Sequence, residues 1–190
     1  MSSDDLLDAI WSPQDGLLPV PPASSRLVSL SIPADGVTLS SFLRQAEGQS
    51  RFFWQRADSD ELYAGFGTAV KLIAWGENRF EEIRQKGNRL FENAAILGEY
   101  DAPILPRLFG GFSFRDDFTP DNTWAAFHPA HFVLPHYQLV QKGDRSWLTI
   151  NAQAGDAEDL IEIGEQLRRA LESAGMMAHA DFVEQAAGSG

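Results

Sequence analysis

The sequence predicts an α+β fold: a largely antiparallel sheet covered on one face by two long helices. Three observations lead there. Asn78–Leu97 and Asp156–Ala174 carry apolar residues at helical spacing. The other apolar segments are short and alternating or aromatic, and turn residues join most of them as hairpins. No repeat and no linker divides the 190 residues, a length that supports one sizeable core or two small ones. The expected division is a partly ordered arm over 1–25, a single α+β domain over 26–175 and a tail over 176–190.

Ser3–Ile10 has the pattern of a short amphipathic helix, stopped by Pro13. Ser12–Ser25 is rich in Pro, Gly and Ser and reads as an extended arm. Arg26–Ile32 sets Leu27, Ser29 and Ser31 against Val28, Leu30 and Ile32, the alternation of a half-buried strand. Pro33 ends it and Asp35-Gly36 turns the chain. Thr38–Ala46 predicts a helix capped by Thr38 or Ser40. Arg51–Arg56 and Glu61–Ala69 predict a hairpin across Asp58-Ser59-Asp60, and Val70–Trp75 a further strand or a connector.

The stripe Phe80, Ile83, Gly87, Leu90, Phe91, Ala94 and Leu97 makes Asn78–Leu97 the clearest helix, with Gly98 as its C-terminal cap. Gly87 on that stripe costs about 1 kcal/mol relative to Ala, and close helix packing offsets it. Pro103 and Pro106 lead into Arg107–Phe114, a glycine-kinked core strand on which Phe112 and Phe114 share a face. Paired glycines in an aromatic strand signal a bulge or a close backbone neighbour. Phe132–Val140 and Arg145–Gln153 flank the turn Lys142-Gly143-Asp144, and Pro135 marks an edge, a bulge or a delayed start of pairing. Asp156 caps the second long helix, Leu160, Gly164, Leu167, Leu171 and Ala174 form its buried stripe, and Gly175 ends it.

Fifteen basic and 27 acidic residues give a formal charge of −12. Such a field repels nucleic-acid backbones and anionic membrane surfaces. There are no cysteines, which excludes disulfides, thiolate metal sites and a cysteine nucleophile. That absence fits a cytoplasmic location. No apolar run reaches the ~20 residues of a membrane span.

The chemistry-bearing motifs are sparse. Ala64-Gly65-Phe66-Gly67-Thr68-Ala69 contains a Gly-x-Gly, but Val70 stands where the third glycine of a dinucleotide fingerprint belongs. Asp116, Asp117 and Asp121 crowd one loop without calcium-loop spacing. The four histidines are His128, His131, His136 and His179. His128 and His131 lie three apart in a loop-into-strand context, and regular strand geometry puts His131 and His136 on opposite faces. No nucleophile elbow and no zinc-protease motif occurs. No catalytic, substrate-binding or metal-ligating residue is therefore assigned.

Four segments in order resemble the chorismate-utilising enzymes. Arg51-Phe52-Phe53-Trp54-Gln55-Arg56, then Ala64–Ala69, resembles their opening strands. Arg107-Leu108-Phe109-Gly110-Gly111-Phe112-Ser113-Phe114 is similar to their internal Gly-Gly-Phe-x-Phe segment. Trp124–Phe127, Phe132-Val133-Leu134-Pro135 and the hairpin Tyr137–Asn151 resemble the isochorismate synthase branch. The likeness spans Arg51–Asn151 and implies the N-terminal half of that family's fold. It also implies that the catalytic lysine, the general acid, the magnesium-binding glutamates and the chorismate carboxylate contacts lie in a following half. The tail 176–190 would lead into that half. On this reading the chain is an N-terminal scaffold of an isochorismate synthase, inactive alone, with Mg²⁺ serving only the full-length enzyme. Its expected partners are the C-terminal catalytic half, chorismate in the full enzyme, and its own copies through an exposed half-domain face. An effector- or partner-binding module of the same ancestry is the alternative, as is a piece of an anthranilate, aminodeoxychorismate or salicylate synthase. The Leu-Leu-Glu-Ser segment of feedback-regulated anthranilate synthases is absent.

Overall fold

A computed structural model describes residues 26–92, 94–98, 104–115, 128–154 and 157–187. The elements are β1 (Arg26–Pro33), α1 (Leu39–Arg44), β2 (Arg51–Gln55), β3 (Glu61–Phe66), β4 (Val70–Ala74), α2 (Arg79–Glu92), β5 (Ala95–Gly98), β6 (Phe109–Phe112), β7 (Ala130–Leu134), β8 (Tyr137–Lys142), β9 (Arg145–Ala154) and α3 (Ala157–Ala187). The fold is α+β, with two sheets rather than one. A six-stranded sheet runs β2-β3-β8-β9-β1-β5, and a three-stranded sheet runs β4-β7-β6. All described pairings are antiparallel except β1 with β5.

The two sheets share one bent ribbon. β3 pairs with β8 as far as Phe66 opposite Tyr137, and β4 pairs with β7 from Val70 opposite Leu134. Between these pairs, Gly67, Thr68 and Ala69 on one side face only Pro135 and His136 on the other. One extra residue on one strand is a bulge, and a bulge bends the ribbon. Gly67 takes the positive φ of +68° that this corner needs. Pro135 cannot donate to a ladder, so the switch of sheets falls where a donor is missing. The sequence pattern of Phe132–Val140 shows one strand; the corner divides it into β7 and β8, so pairing restarts after Pro135.

The helices divide between the sheets instead of covering one face together. α1 and α3 pack on the six-stranded sheet, and α2 packs on β4 and β7. Phe42, Phe66, Leu139, Leu148, Ile150, Ile163 and Leu167 belong to the core under α1 and α3. Thr38 caps α1: its Oγ1 accepts from the Ser41 amide at 3.1 Å, and Ser41 Oγ accepts from the Thr38 amide at 3.1 Å. Leu72, Ala74, Ile83 and Ala130 form the smaller core under α2.

Several expectations are corrected. α2 ends at Glu92, and Leu97 lies in β5. Helical spacing through Ala94 and Leu97 is overridden by the parallel pairing of Leu97 with Leu30. Gly98 closes that strand rather than a helix, at φ +87°, where a Cβ would collide with the Ser31 carbonyl oxygen. Phe80, read as part of the buried stripe, is 53% exposed. Gly87 is buried as expected, with Leu108 against it. α3 does not stop at Gly175 but runs to Ala187, and a Cβ on Gly175 would meet nothing within 4 Å. β1 is buried on both faces, not one. Ser3–Ile10, the arm over 12–25, Pro103, the acidic loop with Asp116, Asp117 and Asp121, Trp124–Phe127 and the Asp156 cap fall outside the described residues.

Candidate functional site

Register brings five polar side chains together on the face of the large sheet turned away from α1 and α3. Ser29 lies opposite Asn151, and Ser31 opposite Thr149, across β1 and β9. Thr149 lies opposite Gln138 across β9 and β8. Strand side chains alternate, so these residues share a face while Val28, Leu30, Leu148 and Ile150 fill the other. All five are buried, Ser29, Gln138, Thr149 and Asn151 completely. Ser31 Oγ and Thr149 Oγ1 lie 2.7 Å apart, hydrogen-bonded. Asn151 Nδ2 donates to the Pro135 carbonyl at 2.9 Å, and Gln138 Nε2 to the Leu105 carbonyl at 3.4 Å. Ser29 Oγ, Asn151 Oδ1 and Gln138 Oε1 have no partner among the described residues. Buried polar groups are ordinarily satisfied, so three open ones on one face stand out.

Beside this polar group the same face becomes aromatic and charged. Tyr63, Ile104, Val140 and Trp147 pack together, with Phe109 of the small sheet against them. Tyr63 Oη donates to Glu61 Oε2 at 3.2 Å, Lys142 Nζ lies 3.1 Å from Glu61 Oε1, and the Arg107 guanidinium sits 4.8 Å over the Tyr63 ring. The Lys142 hydrogen bond is the largest cause that holds the Glu61 carboxyl below its ordinary range, and burial pushes the Tyr63 hydroxyl up. Tyr63 is thus a neutral hydrogen-bond donor here, and Glu61 an anion.

The third group lies on the small sheet. β6 is its edge strand and is largely exposed, not the core strand that the sequence pattern indicates. Gly110 does admit a close neighbour, since a Cβ there would strike the backbone of His131 and Phe132. Phe112 stacks on Phe80 at 4.2 Å, while Phe114 stands fully exposed beyond the strand. Arg79 is buried at the start of α2, donating to the carbonyls of Gly76 at 3.0 Å and Ser113 at 3.3 Å. His131 of β7 lies 5.5 Å from His128, which in turn lies 5.3 Å from Trp75. His136 sits apart at the corner, where burial lowers its pKa. The side chain of His179 lies outside the described set.

Sequence reading missed the polar row and the buried Arg79. The serines of β1 stood in plain view, but their partners lie 118 residues away and become neighbours only through strand order. The Gly-x-Gly of β3 is structural: Gly65 lies against the Phe52 ring and Gly67 forms the corner. Among the described residues no three His, Asp or Glu side chains gather in metal-binding geometry. No helix among them is long and apolar enough to cross a membrane.

The chain is similar to known proteins over most of its length. A family model described as chorismate binding enzyme matches residues 21–187. The salicylate biosynthesis isochorismate synthase of Pseudomonas aeruginosa is 27% identical over 111 residues, 58% of this chain and 22% of that protein. The isochorismate synthase MenF of Bacillus subtilis is 26% identical over 125 residues, 63% of this chain and 26% of that protein. The solved structure of the menaquinone-specific isochorismate synthase MenF of Escherichia coli aligns with 92% of this chain and 34% of its own, at a TM-score of 0.49 and 14% identity. The matches therefore span about a quarter of the length of the two curated relatives. With the match extending over 21–187, the chain belongs to the chorismate binding enzyme family.

Proposed function

We propose that this chain is the N-terminal scaffold region of an isochorismate synthase. In that reaction water adds at one ring carbon of chorismate and hydroxide leaves another, assisted by Mg²⁺. The observation that supports the reading is the family match over 21–187 set against relatives of which this chain's alignments cover 22% and 26%. Mg²⁺ asks for a set of oxygen ligands. The described residues offer no such gathering, so no step is assigned to the metal here. The chain's own part is to hold a rigid sheet on which catalytic residues from elsewhere are positioned. Incubation with chorismate and Mg²⁺, followed by chromatographic separation, should yield no isochorismate above a protein-free control. Product above that control overturns the scaffold reading.

One observation favours a second reading, an effector-binding module of the same ancestry. The open Ser29 Oγ, Asn151 Oδ1 and Gln138 Oε1 are suited to a ligand with hydrogen-bond donors. A thermal-shift screen against chorismate and the aromatic amino acids tests it. A rise in melting temperature that Asn151→Ala abolishes supports it, and flat melting temperatures remove it.

A further inference from the structure

On the face of the small sheet away from α2, two imidazoles stand together, each with one buried nitrogen that has no partner among the described residues. His131 is held in the middle strand, opposite Ile73 of β4 and Gly111 of β6. Gly111 contributes no side chain, and a Cβ there would meet nothing within 4 Å, so the space beside His131 is open. His128 Nδ1 and His131 Nε2 are both shielded from solvent, and neither has a hydrogen-bond partner among the described residues. The two rings lie 5.5 Å apart at an interplanar angle of 65°.

That spacing has a chemical meaning. A metal–imidazole bond of about 2.0–2.1 Å places the ring centre about 3.2 Å from the metal, so two imidazoles at a tetrahedral angle have centres about 5.2 Å apart. We propose that His128 and His131 form a two-imidazole site for a borderline transition-metal dication such as Zn²⁺, distinct from any Mg²⁺ chemistry of the family. Neutral nitrogen donors select Zn²⁺ or Cu²⁺ over Mg²⁺, which takes oxygen ligands. Among the described residues no third His, Asp or Glu joins the pair. The Trp75 indole, edge-on to His128, walls one side.

Titration of the whole chain with Zn²⁺ at pH 7.5, followed by calorimetry, should show saturable one-to-one binding. Affinity should fall about tenfold or more in His128→Ala and in His131→Ala, and hold in His179→Ala. Nitrogen NMR of the imidazoles reads coordination without any variant: Zn²⁺ should shift His128 Nδ1 and His131 Nε2, and Mg²⁺ should shift neither. Binding that survives both alanine variants, or imidazole nitrogens that stay in place at saturation, overturns the site.

Discussion

The two sheets are made from one ribbon, yet they are finished differently. Central residues of the large sheet are closed in on both faces: Leu139, Leu148 and Ile150 toward the helices, Gln138, Thr149 and Asn151 away from them, all at 0% exposure. The small sheet is covered on one face by α2, and its edge strand β6 is open to solvent, with Trp75 and Phe112 also reaching out. Burial of apolar surface drives folding, so the large sheet should carry most of the stability.

The sharpest way to break the comparison is through the glycines at which each sheet admits another backbone. Gly98→Ala forces a Cβ into the Ser31 carbonyl at a positive φ, within the large sheet. Both faults act together, and the cost should be about 3 kcal/mol or more. Gly110→Ala drives a Cβ into the His131 backbone in the small sheet. If the large sheet carries the fold, Gly98→Ala abolishes cooperative melting. Gly110→Ala should leave it cooperative while speeding amide exchange in β6 and β7. Equal loss of the global transition in both would show that the sheets are one unit.

Side-chain truncation asks the same question with less force. Phe42 is fully buried under α1, 4.9 Å from the Phe66 ring. Phe42→Ala should cost about 3–5 kcal/mol in denaturant unfolding. Phe80 stacks on Phe112 at the open end of the small sheet and is 53% exposed. Phe80→Ala should cost under about 1 kcal/mol. A larger loss for Phe80 than for Phe42 would reverse the assignment of the core.

This contrast marks what was legible in the sequence. Local signals were read well: the Thr38 cap, the β2–β3 hairpin, the Gly143 turn and the strand β1 all follow from nearest neighbours. Non-local choices were not. Helical spacing in Phe91, Ala94 and Leu97 is genuine, but β5 gains a parallel partner in β1, and pairing outweighs propensity. The separation of the two sheets depends on one extra residue at Gly67–Ala69, which no periodicity announces. The polar row and the histidine pair depend on which strands become neighbours. The family resemblance identified the chorismate-utilising family because it drew on several short motifs in order, whereas their individual residues are mostly structural.

The corner between the sheets should respond to pH. His136 titrates there with its folded pKa lowered from 6.5, chiefly by burial. The unfolded chain then binds more protons than the folded chain in the window from about 6.5 down to the lowered value, so stability falls as pH falls through it. Melting temperature should drop between pH 7.5 and pH 5.5, and His136→Gln should flatten that slope relative to the parent. An unchanged slope in the variant would move the sensitivity to other groups.

The smallest effect falls on the helix that joins the large sheet to its covering layer. Thr38 and Ser41 exchange two hydrogen bonds at the start of α1, and α1 is only six residues long. A helix so short has no stability of its own and stays formed because Phe42 is held in the core. Thr38→Ala removes the side-chain acceptor for the Ser41 amide and should cost about 1 kcal/mol. Because α1 packs on both β3 and α3, that loss should appear in the global unfolding transition and not as local fraying. Thr38→Ser restores the hydroxyl and should recover most of it. Amide exchange confined to α1, with an unchanged denaturation midpoint, would show that the covering layer is separable from the sheet it covers.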